Sequence, residues 1–155
     1  MPSPNNKDLV DLTIENNIAY VKFNRVKKHN ALNLAMFNQI KGVITRLKNN
    51  RQIRAVIVSG NGDDFCTGLD IKSVMKSSTA PVKLLFKWHP WRSNLAQIVS
   101  TGWQQIPVPV IMAIEGRCWG GGLQIALGGD FRIAARNASI AIMEARWGLI
   151  PDMGG

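Results

Sequence analysis

Val110-Ile111-Met112-Ala113-Ile114, then Glu115, then Gly116-Arg117-Cys118-Trp119-Gly120-Gly121-Gly122-Leu123 is the stretch on which the fold turns. Its first five residues are a continuous apolar run with β-branched members, the pattern of a strand buried on both faces. Gly116–Gly122 reads as a loop that opens a short helix, Leu123–Leu127. Glycines let such a loop take positive φ and let a ligand approach the main chain. Free N–H groups at the start of the helix favour a negative oxygen.

The same form occurs once before. Ala55-Val56-Ile57-Val58 is a short β-branched run, followed by the loop Gly60–Asp64 and then Phe65-Cys66-Thr67-Gly68-Leu69-Asp70. Either loop by itself reads first as a tight strand-to-helix turn. Two donors aimed at one carbonyl oxygen would form an oxyanion hole, in which the loss of one donor costs ~3 kcal/mol of transition-state stabilisation.

Outward from these two units, Asp8–Glu15 and Ile18–Phe23 alternate as strands about the turn-forming Asn16-Asn17. Phe37, Ile40, Val43, Ile44 and Leu47 recur at helical spacing, with Asn33 placed as the N-cap. Beyond Asp70 the pattern is ambiguous as far as Trp91. From there Leu95, Ile98, Val99, Gly102 and Trp103 predict a second amphipathic helix, started by Pro90 and stopped by Pro107 and Pro109. Phe131–Ala134 and Ser139–Met143 read as further strands. Strands alternating with helices, without a linker or composition break, predict one α/β domain over residues 1–155 with mostly buried strands. The chain ends on the turn-like Asp152-Met153-Gly154-Gly155, so a missing C-terminal helical part is expected.

Composition excludes several classes. Two cysteines, Cys66 and Cys118, are too few for a disulfide framework and read as reduced, buried thiols. His29 and His89 lack ligand-type neighbours, so no metal site is expected. Met1–Lys7 carries no apolar signal region, and no apolar run reaches the roughly 20 residues of a membrane span, so a cytoplasmic protein is expected. The formal charge of +9 favours anionic partners. Its basic residues are dispersed, without an arginine tract or an RNA-binding aromatic signature, so nucleic acid is the poorer candidate partner and a phosphate-bearing small molecule the better one.

Five motifs carry a resemblance in order and spacing: Phe23-Asn24-Arg25 with Asn30-Ala31-Leu32-Asn33, Ala55–Ser59, Phe65–Asp70, Gly116–Asp130, and Gly148-Leu149-Ile150-Pro151-Asp152. Together they resemble the crotonase, or enoyl-CoA hydratase/isomerase, superfamily from about Leu9 to the last residue. The resemblance implies a spiral of repeated ββα turns, assembled as a homotrimer or hexamer, acting on acyl-CoA thioesters with no cofactor beyond the coenzyme A of the substrate. It implies that the N–H groups of Leu69 and Gly121, beside Gly68 and Gly120, hold the thioester oxygen as it becomes an enolate. Leu69-Asp70-Ile71 would lie along the adenine end of coenzyme A, and Lys27, Lys28 and His29 would face its phosphates, each of the three being equally well an exposed surface charge.

The side chains matching the catalytic positions decide the reaction. Hydratases of this family use two glutamates, and the matching positions here are Gln124 and Glu144. A glutamine can hold a water but cannot accept its proton near neutral pH. Losing a general base costs about 10²–10⁴-fold. Glu144 alone can move a proton from one carbon to another, as family isomerases do, so double-bond isomerisation is expected over hydration. Its bland alternative is a surface ion pair with Arg146 or Arg136. Asp152 matches an acid of dienoyl-CoA isomerases, which also carry an acid where this chain has Gln124, and it is equally well a turn residue. Trp88 or Trp91 would shape the acyl pocket, although core packing explains either one as well. The rival from another class is a non-catalytic CoA-binding or scaffold protein.

Overall fold

Asn16 and Asn17 both take positive φ and turn β1 (Val10–Glu15) back onto β2 (Ile18–Phe23), with Val10 opposite Phe23 and Glu15 opposite Ile18. The structure, a computed structural model, describes residues 8–75, 93–148 and 150–154. After this hairpin every added strand of the main sheet is parallel. β3 (Ala55–Gly60) lies beside β2, then β4 (Val110–Ile114) beside β3. Two short strands, β5 (Arg117–Trp119) and β7 (Ser139–Ala141), form a separate parallel pair, while β6 (Phe131–Ala134) closes the main sheet in the order β1-β2-β3-β4-β6.

Each parallel strand of the main sheet is followed by an extended segment that pairs with its counterpart in the next turn. Leu32 pairs with Leu69, Cys66 with Cys118, and β5 with β7. Helices follow: α1 (Leu34–Lys48) after Leu32, α2 (Ile71–Met75) after Leu69, α3 (Leu95–Thr101) before β4, and α4 (Gly121–Leu127) after β5. This is the expected α/β spiral of ββα turns.

The core fills the space between sheet and helices. Val21, Phe23, Val56, Val58, Val110 and Met112 point inward at period two. They meet Met36, Phe37, Ile40 and Leu47 from α1, at helical period. Each such side chain stabilises the fold by about 1.5–3 kcal/mol through burial. Phe23 and Phe65 pack edge to face at 5.4 Å, tying the end of β2 to the first glycine loop. Asn33 caps α1 by accepting from the Met36 N–H at 2.9 Å, as its position predicts.

Four expectations are corrected. The second helix starts at Leu95, where Asn94 and Gln97 form a reciprocal capping box; Pro90, with Trp88 and Trp91, lies outside the described residues. Gly116–Gly122 is not all loop, because Arg117–Trp119 finds strand partners, and the helix after it starts at Gly121 rather than Leu123. The last strand ends at Ala141, and Met143–Trp147 is a 3-10 turn, so Glu144 sits on a turn. The expectation of mostly buried strands fails for two of them: β6 is exposed along its whole length and β7 nearly so. Among the described residues no helix is long and apolar enough to cross a membrane.

Candidate active site

The two glycine loops are welded to each other. The Cys66 N–H donates to the Arg117 carbonyl at 3.0 Å, and the Trp119 N–H donates to the Cys66 carbonyl at 2.9 Å. Gly68 has φ +90°, and a Cβ there would lie 2.9 Å from the Trp119 oxygen and 3.3 Å from the Gly121 nitrogen. Only glycine fits such an approach. A Cβ on Gly122 would collide with the Cys66 carbonyl, so the start of α4 is pressed against the first loop for the same reason.

This contact brings two free amides into one neighbourhood. The Leu32 N–H donates to the Gly68 oxygen and the Asp70 N–H donates to the Leu32 oxygen, which turns the intervening Leu69 N–H away from that strand. Gly121 opens α4, where no residue one turn earlier accepts from it. Among the described residues neither the Leu69 nor the Gly121 N–H has a protein acceptor.

A carboxylate stands beside them. A Cβ on Gly120 would lie 3.5 Å and 3.6 Å from the two Glu144 carboxylate oxygens, so the carboxylate covers the second loop one residue before Gly121. Gln124, buried on α4, donates its Nε2 to Glu144 Oε1 at 2.8 Å. The Gln124 Oε1 accepts from the Met153 N–H at 2.9 Å. Its backbone carbonyl accepts from the Ser100 hydroxyl at 2.6 Å. Glu144 Oε2 is buried and has no hydrogen-bond partner among the described residues. Among the described residues, Arg136 and Arg146 form no ion pair with Glu144. Asp152 is exposed, and its backbone carbonyl accepts from Gln97 at 3.5 Å.

The residues expected along coenzyme A divide into committed and available groups. Asp70 is committed, since its carboxylate pairs with Arg25 at 2.8 Å and accepts from the Ser73 N–H at 3.0 Å. Burial raises its pKa, but the Arg25 and Ser73 hydrogen bonds outweigh burial and hold the carboxyl below its usual range. His29 takes a left-handed backbone, and its Nδ1 lies 2.9 Å from Asp64 and 2.8 Å from Arg117. Leu69 and Ile71 present exposed apolar side chains, and Lys27 and Lys28 stand in solvent.

Sequence reasoning missed the brace beneath the loops. Asp64, a buried carboxylate in what reads as an ordinary polar loop, accepts from the Arg117 backbone N–H at 2.9 Å and from its Nε and Nη2, both at 2.7 Å. The Arg117 guanidinium holds the Asp64 pKa down to about 2. Asn30, buried, donates to the Asn61 and Asp64 carbonyls and fixes the same loop. Ser100 and Met153 were also missed, and nothing local in the sequence marks either.

A ββα spiral with two glycine loops joined beneath a half-buried carboxylate defines a crotonase-type scaffold. A family model described as enoyl-CoA hydratase/isomerase matches residues 13–155, and the chain belongs to that family. It is 31% identical over 147 residues to 1,2-epoxyphenylacetyl-CoA isomerase of Escherichia coli, which covers 92% of this chain and 53% of that one. It is 30% identical over 139 residues to mitochondrial methylglutaconyl-CoA hydratase of Homo sapiens, covering 89% of this chain and 39% of that one. The crystal structure of enoyl-CoA hydratase from Bacillus anthracis superposes with a TM-score of 0.79 at 28% identity, covering 95% of this chain and 55% of that one. The chain therefore spans about half the length, or less, of these relatives.

Proposed function

We propose that this chain carries the thioester-binding and proton-transfer half of an acyl-CoA enzyme that shifts a carbon–carbon double bond. The observation that supports it is the pair of amides, Leu69 and Gly121, unpartnered among the described residues, on touching loops beside a half-buried carboxylate whose buried Oε2 is free among those residues. The two N–H groups donate to the thioester oxygen in the enolate, where preorganised donors stabilise charge most. Glu144 takes the proton from the α-carbon and returns it to the γ-carbon, moving the double bond into conjugation. No cofactor is needed beyond the coenzyme A of the substrate. Lys27, Lys28 and His29 are proposed to face its phosphates and Ile71 its adenine end; Asp152, exposed, is the weakest member of the proposed set.

Isomerisation is favoured over hydration because Gln124 cannot act as a base. Its amide oxygen is also occupied by the Met153 N–H. Hydration is the second reading, favoured by the similarity to methylglutaconyl-CoA hydratase. Parallel assays on 3-enoyl-CoA and 2-enoyl-CoA thioesters test the choice. Loss of the 3-enoyl isomer at a rate well above water addition is expected; faster hydration would reverse it.

A further inference from the structure

We propose that Gln124 is a positioning residue, a clamp that commits Glu144 to working through Oε2 alone; the idea rests on the reading of Glu144 as the proton carrier. Two contacts and one unpartnered oxygen carry it. The Met153 N–H can only donate, so the Gln124 side-chain oxygen must face Met153 and its NH₂ must face Glu144. The resulting hydrogen bond, 2.8 Å long, occupies Oε1. Oε2, buried beside Gly120, is left as the only side-chain oxygen or nitrogen among the described residues that is buried and lacks a partner. A buried acceptor without a donor is unfavourable, and at Oε2 a ligand atom can supply the missing partner.

The clamp sets the chemistry of the step. A proton leaving the α-carbon of a 3-enoyl thioester goes to Oε2 while the C–H electrons spread into the dienolate. The same proton returns from Oε2 to the γ-carbon, and the electrons close a double bond between the α- and β-carbons. One oxygen serves both carbons, so both transfers occur on one face. A glutamate at position 124 would instead face Glu144 as a second carboxylate within hydrogen-bond distance. Two such groups cannot both ionise freely and would share a proton.

The test has one arm that needs no turnover. In the ¹⁵N-labelled protein, the Gln124 side-chain amide is expected to be shifted downfield and protected from hydrogen exchange, and Glu144→Ala to abolish both; an unprotected amide, or one unmoved by E144A, would overturn the clamp. The second arm compares Gln124→Met, which keeps the packing but loses the amide, with Gln124→Glu on a 3-enoyl-CoA thioester. Gln124→Met should lower kcat about 10- to 100-fold with little change in KM, the effect of a misplaced reacting group. Gln124→Glu should move the acid limb of the kcat–pH profile to higher pH by about a unit or more. Wild-type kcat in Q124M with an unmoved limb in Q124E would overturn the proposal. A wild-type protein with the protected amide but no thioester binding would instead count against the proposed function, leaving the clamp itself intact.

Discussion

Gly68 and Asp64 hold the two loops together by opposite means, one by having no side chain and the other by having a charged one. Gly68→Ala forces a Cβ against the Trp119 oxygen at a φ of +90°. We expect a destabilisation of about 1–3 kcal/mol, read as a lower thermal midpoint, and at least a tenfold loss of saturated acyl-CoA affinity. Asp64 acts through protonation. Its folded pKa of about 2 lies below the ordinary 3.8, so its stabilisation is complete above pH 4–5 and is lost as pH falls through 2. Urea midpoints should therefore fall between about pH 4 and 2 in the wild type. In Asp64→Asn the midpoints should be lower at pH 7, corresponding to about 2 kcal/mol of lost stability, and flatter across that acid window. Burial pushes the thiols of Cys66 and Cys118 up to about 12, which matches their reading as inert core residues. Neither Asp64 nor the clamping role of Gln124 could have been assigned from sequence. A loop aspartate and a helix glutamine look ordinary until the fold supplies Arg117 and Glu144.

Helix starts were legible where the cap is local and strands where the run is apolar. Asn33 and the β-branched runs of β3 and β4 were readable because their signals lie within a few residues. β5 was not, because Arg117-Cys118-Trp119 becomes a strand only through pairing with segments that begin at Cys66 and Ser139. The Asn94–Gln97 box was overlooked in favour of Pro90, a weaker signal than reciprocal side-chain capping. Gly42 lies in the middle of α1, and a Cβ added there would meet no atom within 4 Å, so helix propensity alone decides the residue at this exposed position. Gly42→Ala should raise stability by about 0.5–1 kcal/mol in a urea titration, with no change in ligand affinity.

Across the whole molecule burial is uneven. The hairpin, β3, β4 and α1 enclose the core, while Phe131, Ile133, Ile140 and Ile142 at the far end are more than half exposed. Phe131 and Ile133, two residues apart on β6, share one face and form an exposed apolar pair. The native chain should accordingly enhance the fluorescence of anilinonaphthalene sulfonate, and the double substitution Phe131→Lys, Ile133→Lys should reduce that signal without lowering the thermal midpoint. The ββα spiral was legible only through the family resemblance that the five ordered motifs carry; this exposure was not legible at all, since an apolar strand pattern looks the same whether or not anything covers it.

The central claim is that two main-chain amides receive one thioester oxygen. It is tested most directly by titrating the ¹⁵N-labelled protein with a saturated acyl-CoA, using free coenzyme A as the control. The Leu69 and Gly121 N–H resonances should both move downfield with the thioester and remain nearly still with coenzyme A alone. If either amide stays in place while the thioester binds, or if both move equally with coenzyme A, the loops do not form an oxyanion hole.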